Sequence, residues 1–332
     1  MEFHKDILKI DCNQETEKIK EFINRNLSKN SRNGVVVGLS GGIDSALVAA
    51  LSVEAVGREN VLGVILPEKE SSILSAKYAQ KEANRLDIRT TKLNITSILQ
   101  AIGTYQKRDT IVKDIFPEYN NECKLKITLP SNLLEVNRIN IFTLKMINKN
   151  NETEVARLNK NQLNGILAAS NTKQRVRMLC LYYYAEYNHY LVCGTTNKTE
   201  TLQGFFVKHG DAGVDLEPLA HLYKDQVYQL AHYLCISREI IERQPTPDTY
   251  SAEVTDEEFY FRIPYHKLDL LLYGWVNNIP KNQICKSMQL EPEQVDRVFK
   301  DFQSKYNTTQ HMRELPPTLK ENAKYYSFEK LI

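Results

Sequence analysis

The residues best placed to do chemistry lie in Gly34-Val-Val-Val-Gly-Leu-Ser-Gly-Gly-Ile-Asp-Ser-Ala46, where an apolar run meets a glycine turn and then a helix start. Val35 to Leu39 suit a buried strand, and Ala46 to Leu51 begin a helix, so the intervening turn presents backbone N–H groups outward. Those donors and the helix dipole favour an anion. Gly41 and Gly42 allow close approach of phosphate oxygens, Ser40 and Ser45 add hydroxyls, and Asp44 can take a hydrated magnesium ion. The loop therefore suits a nucleoside triphosphate or released pyrophosphate. No G-x-x-x-x-G-K-[ST] and no G-x-G-x-x-G after a strand occurs, so neither better-known phosphate loop is present. Two further blocks concentrate glycine, lysine and carboxylates: Cys193-Gly-Thr-Thr-Asn-Lys-Thr-Glu200, and Gly204 to Asp215 with the sequence Gly-Phe-Phe-Val-Lys-His-Gly-Asp-Ala-Gly-Val-Asp.

The Ser-Gly-Gly-x-Asp-Ser loop resembles that of the ATP pyrophosphatases, which split ATP between the α and β phosphates. Taken with the two later blocks, Leu222-Tyr-Lys-Asp-Gln-Val227 and Pro245-Thr-Pro-Asp248, the chain resembles the NAD synthetase family in particular, over about residues 15 to 275 except a middle insertion. The resemblance implies that Gly38, Leu39, Ser40, Gly41, Gly42, Ile43, Asp44 and Ser45 hold ATP, joined by Thr195, Lys224 and Thr246. Asp44 and Glu200 would ligate magnesium, the expected cofactor, while Arg175, Lys208, Asp215 and His311 would hold a dinucleotide acid. The implied chemistry is amidation through an acyl adenylate. Asp44 and Lys224 would assist departure of pyrophosphate, and Asp211 is a candidate for taking a proton from ammonia. Ala212, His209, Cys235 and His311-Met312 depart from residues frequent in the family, as a divergent branch would.

These residues need elements to position them. A helical stripe at Ile19, Phe22, Ile23 and Leu27 precedes the first strand. There follow a helix at about 44 to 56, a strand at Val61 to Leu66, a helix from about Ser72 to Leu86, and a strand near Thr90 to Asn94. Strands alternating with helices predict a doubly wound parallel α/β sheet with flanking helices, of ATP pyrophosphatase type, whose ligands bind beyond the strand carboxyl ends. From about 104 to 169 the pattern loosens into a small insertion, with two alternating runs, around Ile139 to Ile147 and Thr153 to Leu158, that could pair as a hairpin. A helix is expected from about Thr172 to Tyr187, a strand at Tyr190 to Cys193, and a helix from Lys224 to Leu234. Residues 1–280 then form the catalytic domain, and 281–332 a helical extension with a Pro316-Pro317 tail packed on it.

Composition bounds the partners. The 332 residues are 42% hydrophobic and 25% charged, normal for a globular chain, and 43 basic against 41 acidic residues argue against a nucleic-acid or membrane surface. Six scattered cysteines show no metal or redox spacing, and no signal segment or long apolar run stands out, so the expected location is the cytoplasm. About 33 residues precede the first strand, too few for a glutaminase domain, which makes ammonia the expected nitrogen donor unless a separate glutaminase supplies it. Homodimerisation is implied by the resemblance alone. Two alternatives stay open: a related ligase amidating another carboxylate, and a nucleotide-binding regulatory module, the latter suggested by a helix-turn-helix-like stretch at Ile284 to Val295. Glu293 and Asp296 stand where a groove reader wants Arg or Asn.

Overall fold

The computed structural model describes residues 3–130, 132–135, 141–247 and 249–317. Helix α1 (Cys12–Lys29) leads into β1 (Val35–Gly38), α2 (Ile43–Val56), β2 (Val61–Ile65), α3 (Ile73–Arg85) and β3 (Arg89–Lys92). Short helices α4 (Thr96–Ala101) and α5 (Thr104–Ile115) open the insertion, whose strands β4 (Lys124–Thr128), β5 (Thr143–Ile147) and β6 (Thr153–Arg157) precede α6 (Lys160–Asn188) and β7 (Leu191–Cys193). The chain continues through α7 (Lys198–Gln203), α8 (Lys224–Tyr233), α9 (Arg238–Ile241), α10 (Tyr265–Val276), α11 (Lys281–Met288), α12 (Pro292–Thr308) and α13 (Gln310–Arg313).

Strands β3-β2-β1-β7 form a parallel sheet in that order, with Val35 paired to Val61 on one side and to Leu191 on the other. The expected doubly wound sheet is what forms. Alternation along β1 sends Val35 and Val37 towards α1, α2 and α8, where Ile23, Leu47 and Leu230 are buried, and Val36 towards Val176 and Cys180 of α6. Strand order reverses between β1 and β7, so the loops leaving these two strands flank the switch point, the crevice where such sheets bind ligands.

The insertion is a three-stranded antiparallel sheet, β4-β5-β6, on its own apolar cluster of Val112, Phe116, Leu125, Ile127, Leu144 and Met146. The expected hairpin is β5–β6, with Thr143 opposite Arg157; its predicted beginning at Ile139 lies outside the described residues. The insertion ends earlier than its predicted limit of 169, because α6 starts at Lys160 rather than near Thr172. Asn159 and Gln162 build a reciprocal capping box there, and Gly165 is packed so closely on α5 that an added Cβ would lie 2.3 Å from Ile111 Cδ1. Glycine at mid-helix is here a contact point, not a break.

The helix-turn-helix-like stretch is α11 and α12 packed on α10, with Ile284, Val295 and Val298 fully buried beside Leu268, Leu272 and Phe302. Its apolar residues face inward, as core does. The tail beyond Pro317 lies outside the described residues. At the end of α8, Cys235 takes φ 52°, a left-handed conformation that costs a non-glycine residue about 1 kcal/mol, so the glycine frequent at this point has a backbone reason.

A buried charge cluster joins the insertion to the sheet. Lys173 of α6, 2% exposed, donates to Glu68 Oε1 at 2.9 Å, to Glu70 Oε2 at 2.6 Å and to the Thr249 carbonyl at 2.8 Å. Arg108 of α5 forks onto both oxygens of Glu70, and the Tyr105 hydroxyl donates to Glu68 Oε2. Burial would push the Glu70 carboxyl up, but Lys173 and Arg108 hold it below the ordinary range. Removing one member of such a set leaves uncompensated buried charge. Lys173→Met is accordingly expected to lower the unfolding free energy by about 3–5 kcal/mol, read from the midpoint of guanidinium unfolding; an unchanged midpoint would show the cluster to be energetically neutral.

Candidate active site

A cavity of about 510 Å³ opens at the carboxyl ends of β1, β2 and β7, a size suited to a nucleotide. Its floor is the turn after β1. The Leu39 N–H prolongs the sheet by donating to the Val64 carbonyl, and Gly41 then turns at φ 79° with its α carbon against α3, where a Cβ would lie 2.2 Å from the Ser75 carbonyl oxygen. No other residue fits there. Ser45 donates from its hydroxyl to the Gly42 carbonyl at 3.0 Å and accepts from the Ser40 N–H at 3.2 Å, while Ser40 Oγ accepts from the Gly42 N–H. Both serines thus knit the turn. Gly42 caps α2 without a side chain, so the first-turn N–H groups of that 14-residue helix face the cavity uncapped.

The second wall comes from the loop after β7. Asn197 and Glu200 form a capping box at α7, the Glu200 N–H donating to Asn197 Oδ1 at 3.0 Å and the Asn197 N–H to Glu200 Oε2 at 3.2 Å. The Asn197 amide also donates to Asp44 Oδ1 at 3.0 Å, which fastens this loop to the one after β1. Lys224, the first residue of α8 and 1% exposed, reaches Asp44 Oδ2 at 2.5 Å and lies 3.9 Å from Glu200 Oε1. Its backbone N–H donates to Thr199 Oγ1, whose hydroxyl donates to the buried Asp269. Burial works against the Lys224 ammonium, yet Asp44, Glu200 and Asp256 together raise its pKa. Glu200 is pushed well above the carboxylate range by burial and then by Asp44, and Asp256 up to about 6 by burial, against Lys224. The pocket holds more carboxyl groups than cations.

Of the residues expected to hold ATP, Gly38, Leu39, Ser40, Gly42, Ile43, Asp44, Ser45, Thr195, Lys224 and Thr246 all line this cavity; Gly41 supports it from behind. Asp248 of the quoted Pro-Thr-Pro-Asp run lies outside the described residues. Asp211 lines the cavity too. It is open to the cavity yet ringed by protein, and accepts from the Val207 N–H at 2.9 Å; burial pushes its carboxyl up to about 6 against that hydrogen bond.

Arg175, Lys208, Asp215 and His311 are not brought to the cavity. Asp215 closes the sheet, accepting from the Val192 N–H at 2.8 Å and from the Tyr182 hydroxyl at 3.2 Å. Lys208 donates to the His311 carbonyl at 2.6 Å and Arg175 to the Lys208 carbonyl at 3.3 Å, so these residues form a separate group on the surface between α6 and α13. Sequence reasoning left out the cavity arginines Arg177 and Arg243, which donate to the Leu66 carbonyl and to Ser75 Oγ, and also Asp256. No local pattern marks them. Asn197 lies in the Cys193–Glu200 block, where its N-x-x-E spacing to Glu200 is the capping signature that marks its place.

Asp44 and Glu200 offer the hard oxygen donors of a magnesium site. Among the described residues no three His, Cys, Asp or Glu side chains converge as a ready-made cage. Two carboxyl groups from separate loops fit an ion that keeps water and phosphate oxygens in its remaining positions.

The family model described as NAD synthase matches residues 15–129 and 115–316. An NH(3)-dependent NAD(+) synthetase of Mesorhizobium japonicum is 38% identical over 311 residues, 93% of this chain and 97% of the relative. One of Thermotoga maritima is 35% identical, covering 91% and 98%. Among solved structures, an NH3-dependent NAD synthetase from Campylobacter jejuni (24% identity, TM-score 0.63, covering 94% and 100%) and an NMN synthetase from Francisella tularensis (21%, 0.65, 93% and 99%) share the fold. The family-model match and these relatives, identical at 38% and 35% over more than nine-tenths of the chain, agree with the glycine turn after β1, the capped Glu200 loop and the buried Lys224: the chain belongs to the NAD synthase family.

Proposed function

We propose that the protein catalyses the ATP-dependent amidation of nicotinic acid adenine dinucleotide to NAD, with ammonia as nitrogen donor and AMP and pyrophosphate as products. The observation that carries this reading is the Asp44–Lys224–Glu200 group facing the uncapped start of α2, in a family whose curated relatives are named for that reaction. The β and γ phosphates of ATP lie on the α2 N–H groups. A carboxylate oxygen of the acceptor forms a bond to the α phosphorus as the bond from that phosphorus to the bridging oxygen breaks, and pyrophosphate departs. Lys224 is suited to neutralise that departing charge because its surroundings keep it protonated. Ammonia then attacks the acyl carbon, AMP leaves, and the surplus proton passes to Asp211. When bound by Asp44 and Glu200, Mg2+ supplies Lewis-acid stabilisation of the phosphates.

The acceptor is received at Arg175, Lys208, Asp215 and His311, beyond the strand ends. Arg175 shares α6 with an exposed apolar stripe, Leu179, Tyr183 and Tyr187, at 63%, 62% and 79% exposure. Residues four apart share a helix face, and a second copy of the chain covering that face makes a homodimer. All six cysteines are free, which suits the reducing cytoplasm. Among the described residues no helix is long and apolar enough to cross a membrane. Residues 1–280 carry the chemistry and the helices after them pack on the same body.

Three outcomes test this. Incubated with ATP, Mg2+, ammonium and the dinucleotide acid, the protein should yield NAD and AMP by mass spectrometry, with nicotinic acid mononucleotide as the competing acceptor and glutamine inactive as donor; ADP as product would overturn the adenylation. Asp44→Asn and Glu200→Gln should each lower pyrophosphate release about a hundredfold or more with the fold intact by circular dichroism, and turnover equal to wild type at saturating Mg2+ would remove their assignment. If the Asp211 carboxylate accepts the proton, it does so only above its raised pKa of about 6. The wild-type rate divided by the Asp211→Asn rate should therefore fall as pH drops from about 8 to about 5; a ratio independent of pH would exclude Asp211 as the base.

A further inference from the structure

Between α9 and α10, residues 249–261 run along the outer strand of the insertion before entering the cavity. The Ala252 N–H donates to the Leu125 carbonyl at 3.0 Å, the Leu125 N–H to Ser251 Oγ at 2.8 Å and the Leu129 N–H to the Glu258 carbonyl at 2.9 Å. Tyr250 and Val254 are buried in the insertion's own core. Leu125 of β4 and Leu129 just after it thus hold the chain on both sides of Asp256, and the Asp256 N–H donates to the Pro245 carbonyl at 3.1 Å, beside Thr246.

Asp256 is held rigidly and only half used. It is 5% exposed and lines the same cavity as Asp44, Glu200 and Lys224. Its Oδ2 accepts from the Tyr265 hydroxyl at 2.9 Å, whereas its Oδ1 is buried without a hydrogen-bond partner among the described residues. Leaving a carboxylate oxygen so buried is unfavourable, and a neutral acceptor would serve Tyr265 as well. The surroundings supply a reason. Asp44, Glu200 and Asp256 all act on the Lys224 ammonium, so on this side of the cavity three carboxyl groups share one lysine. Such a group favours phosphates that arrive with a divalent cation.

We propose that Asp256 is a third carboxylate serving the cation that enters with the phosphates, placed beside Asp44 and Glu200 by the insertion without forming a ready-made cage with them. The inference rests on the adenylating reading of the cavity. Asp256→Asn is the informative variant, since its amide oxygen still accepts from Tyr265 while the charge is gone. Mn2+ is titrated by electron paramagnetic resonance against the full-length protein with α,β-methylene-ATP bound, and the analogue is titrated separately without metal. Mn2+ affinity is expected to weaken about 10- to 100-fold, with the metal-free affinity for the analogue unchanged or tighter. Equal Mn2+ affinity in both proteins would overturn the proposal, as would an equal loss of analogue affinity with and without metal, which would make Asp256 a shaping residue only. Wild-type turnover of the dinucleotide acid is measured alongside: its absence would remove the synthetase reading, while the Mn2+ comparison would still decide the role of Asp256.

Discussion

The pairing of Lys224 with Asp44 is the constraint around which the rest of this molecule is arranged. It joins the start of α8 to the first turn of α2 across the switch point of the sheet, and Asn197 adds the loop after β7 to the same carboxylate. Three elements distant in sequence are thereby fixed at one point. A buried ion pair of this kind is a poor source of stability, because desolvation offsets most of the attraction. Its presence makes sense as preorganisation: a cation of fixed position and secured charge, set against helix N–H groups, before any phosphate arrives.

Much of the surrounding structure serves to hold that arrangement. Thr199 and Asp269 anchor the Lys224 backbone, Gly41 lets the turn after β1 lie against α3, and the Asn197–Glu200 box fixes the loop that carries the second carboxylate. Farther out, Lys173, Glu68, Glu70 and Arg108 tie the loop after β2 to α5 and α6. Through Thr249 the same cluster touches the segment that leads to Asp256. The insertion is therefore part of the cavity's framework, through its α5 on one side and its β4 on the other.

The parts of this design that are local in sequence were legible there. An apolar run followed by Ser-Gly-Gly-x-Asp-Ser announces a strand, a tight turn and a helix start, and the alternation of such runs announces the parallel sheet. Glu200 and Lys224 stand out in the sequence because they sit inside ordered motifs, and both line the cavity. What escaped was set by packing at long range: α6 starts at a cap formed by Asn159, ahead of its apolar stripe, and Asp256 comes from an acidic, motif-poor stretch held by contacts with the insertion, Pro245 and Tyr265. Arg175, Lys208, Asp215 and His311 show the opposite limit, since sequence gives their identity but not the surroundings they face; outside the cavity, Arg175, Lys208 and His311 are linked to one another, and Asp215 is bonded to Val192 and Tyr182.

The most direct test of the central claim is a crystal structure of the protein with α,β-methylene-ATP and Mg2+. The β and γ phosphates are expected on the N–H groups that open α2, with the Lys224 ammonium still beside Asp44 and in reach of the bridging position. Phosphates bound elsewhere in the cavity, or a Lys224 side chain swung away from both Asp44 and the nucleotide, would contradict it.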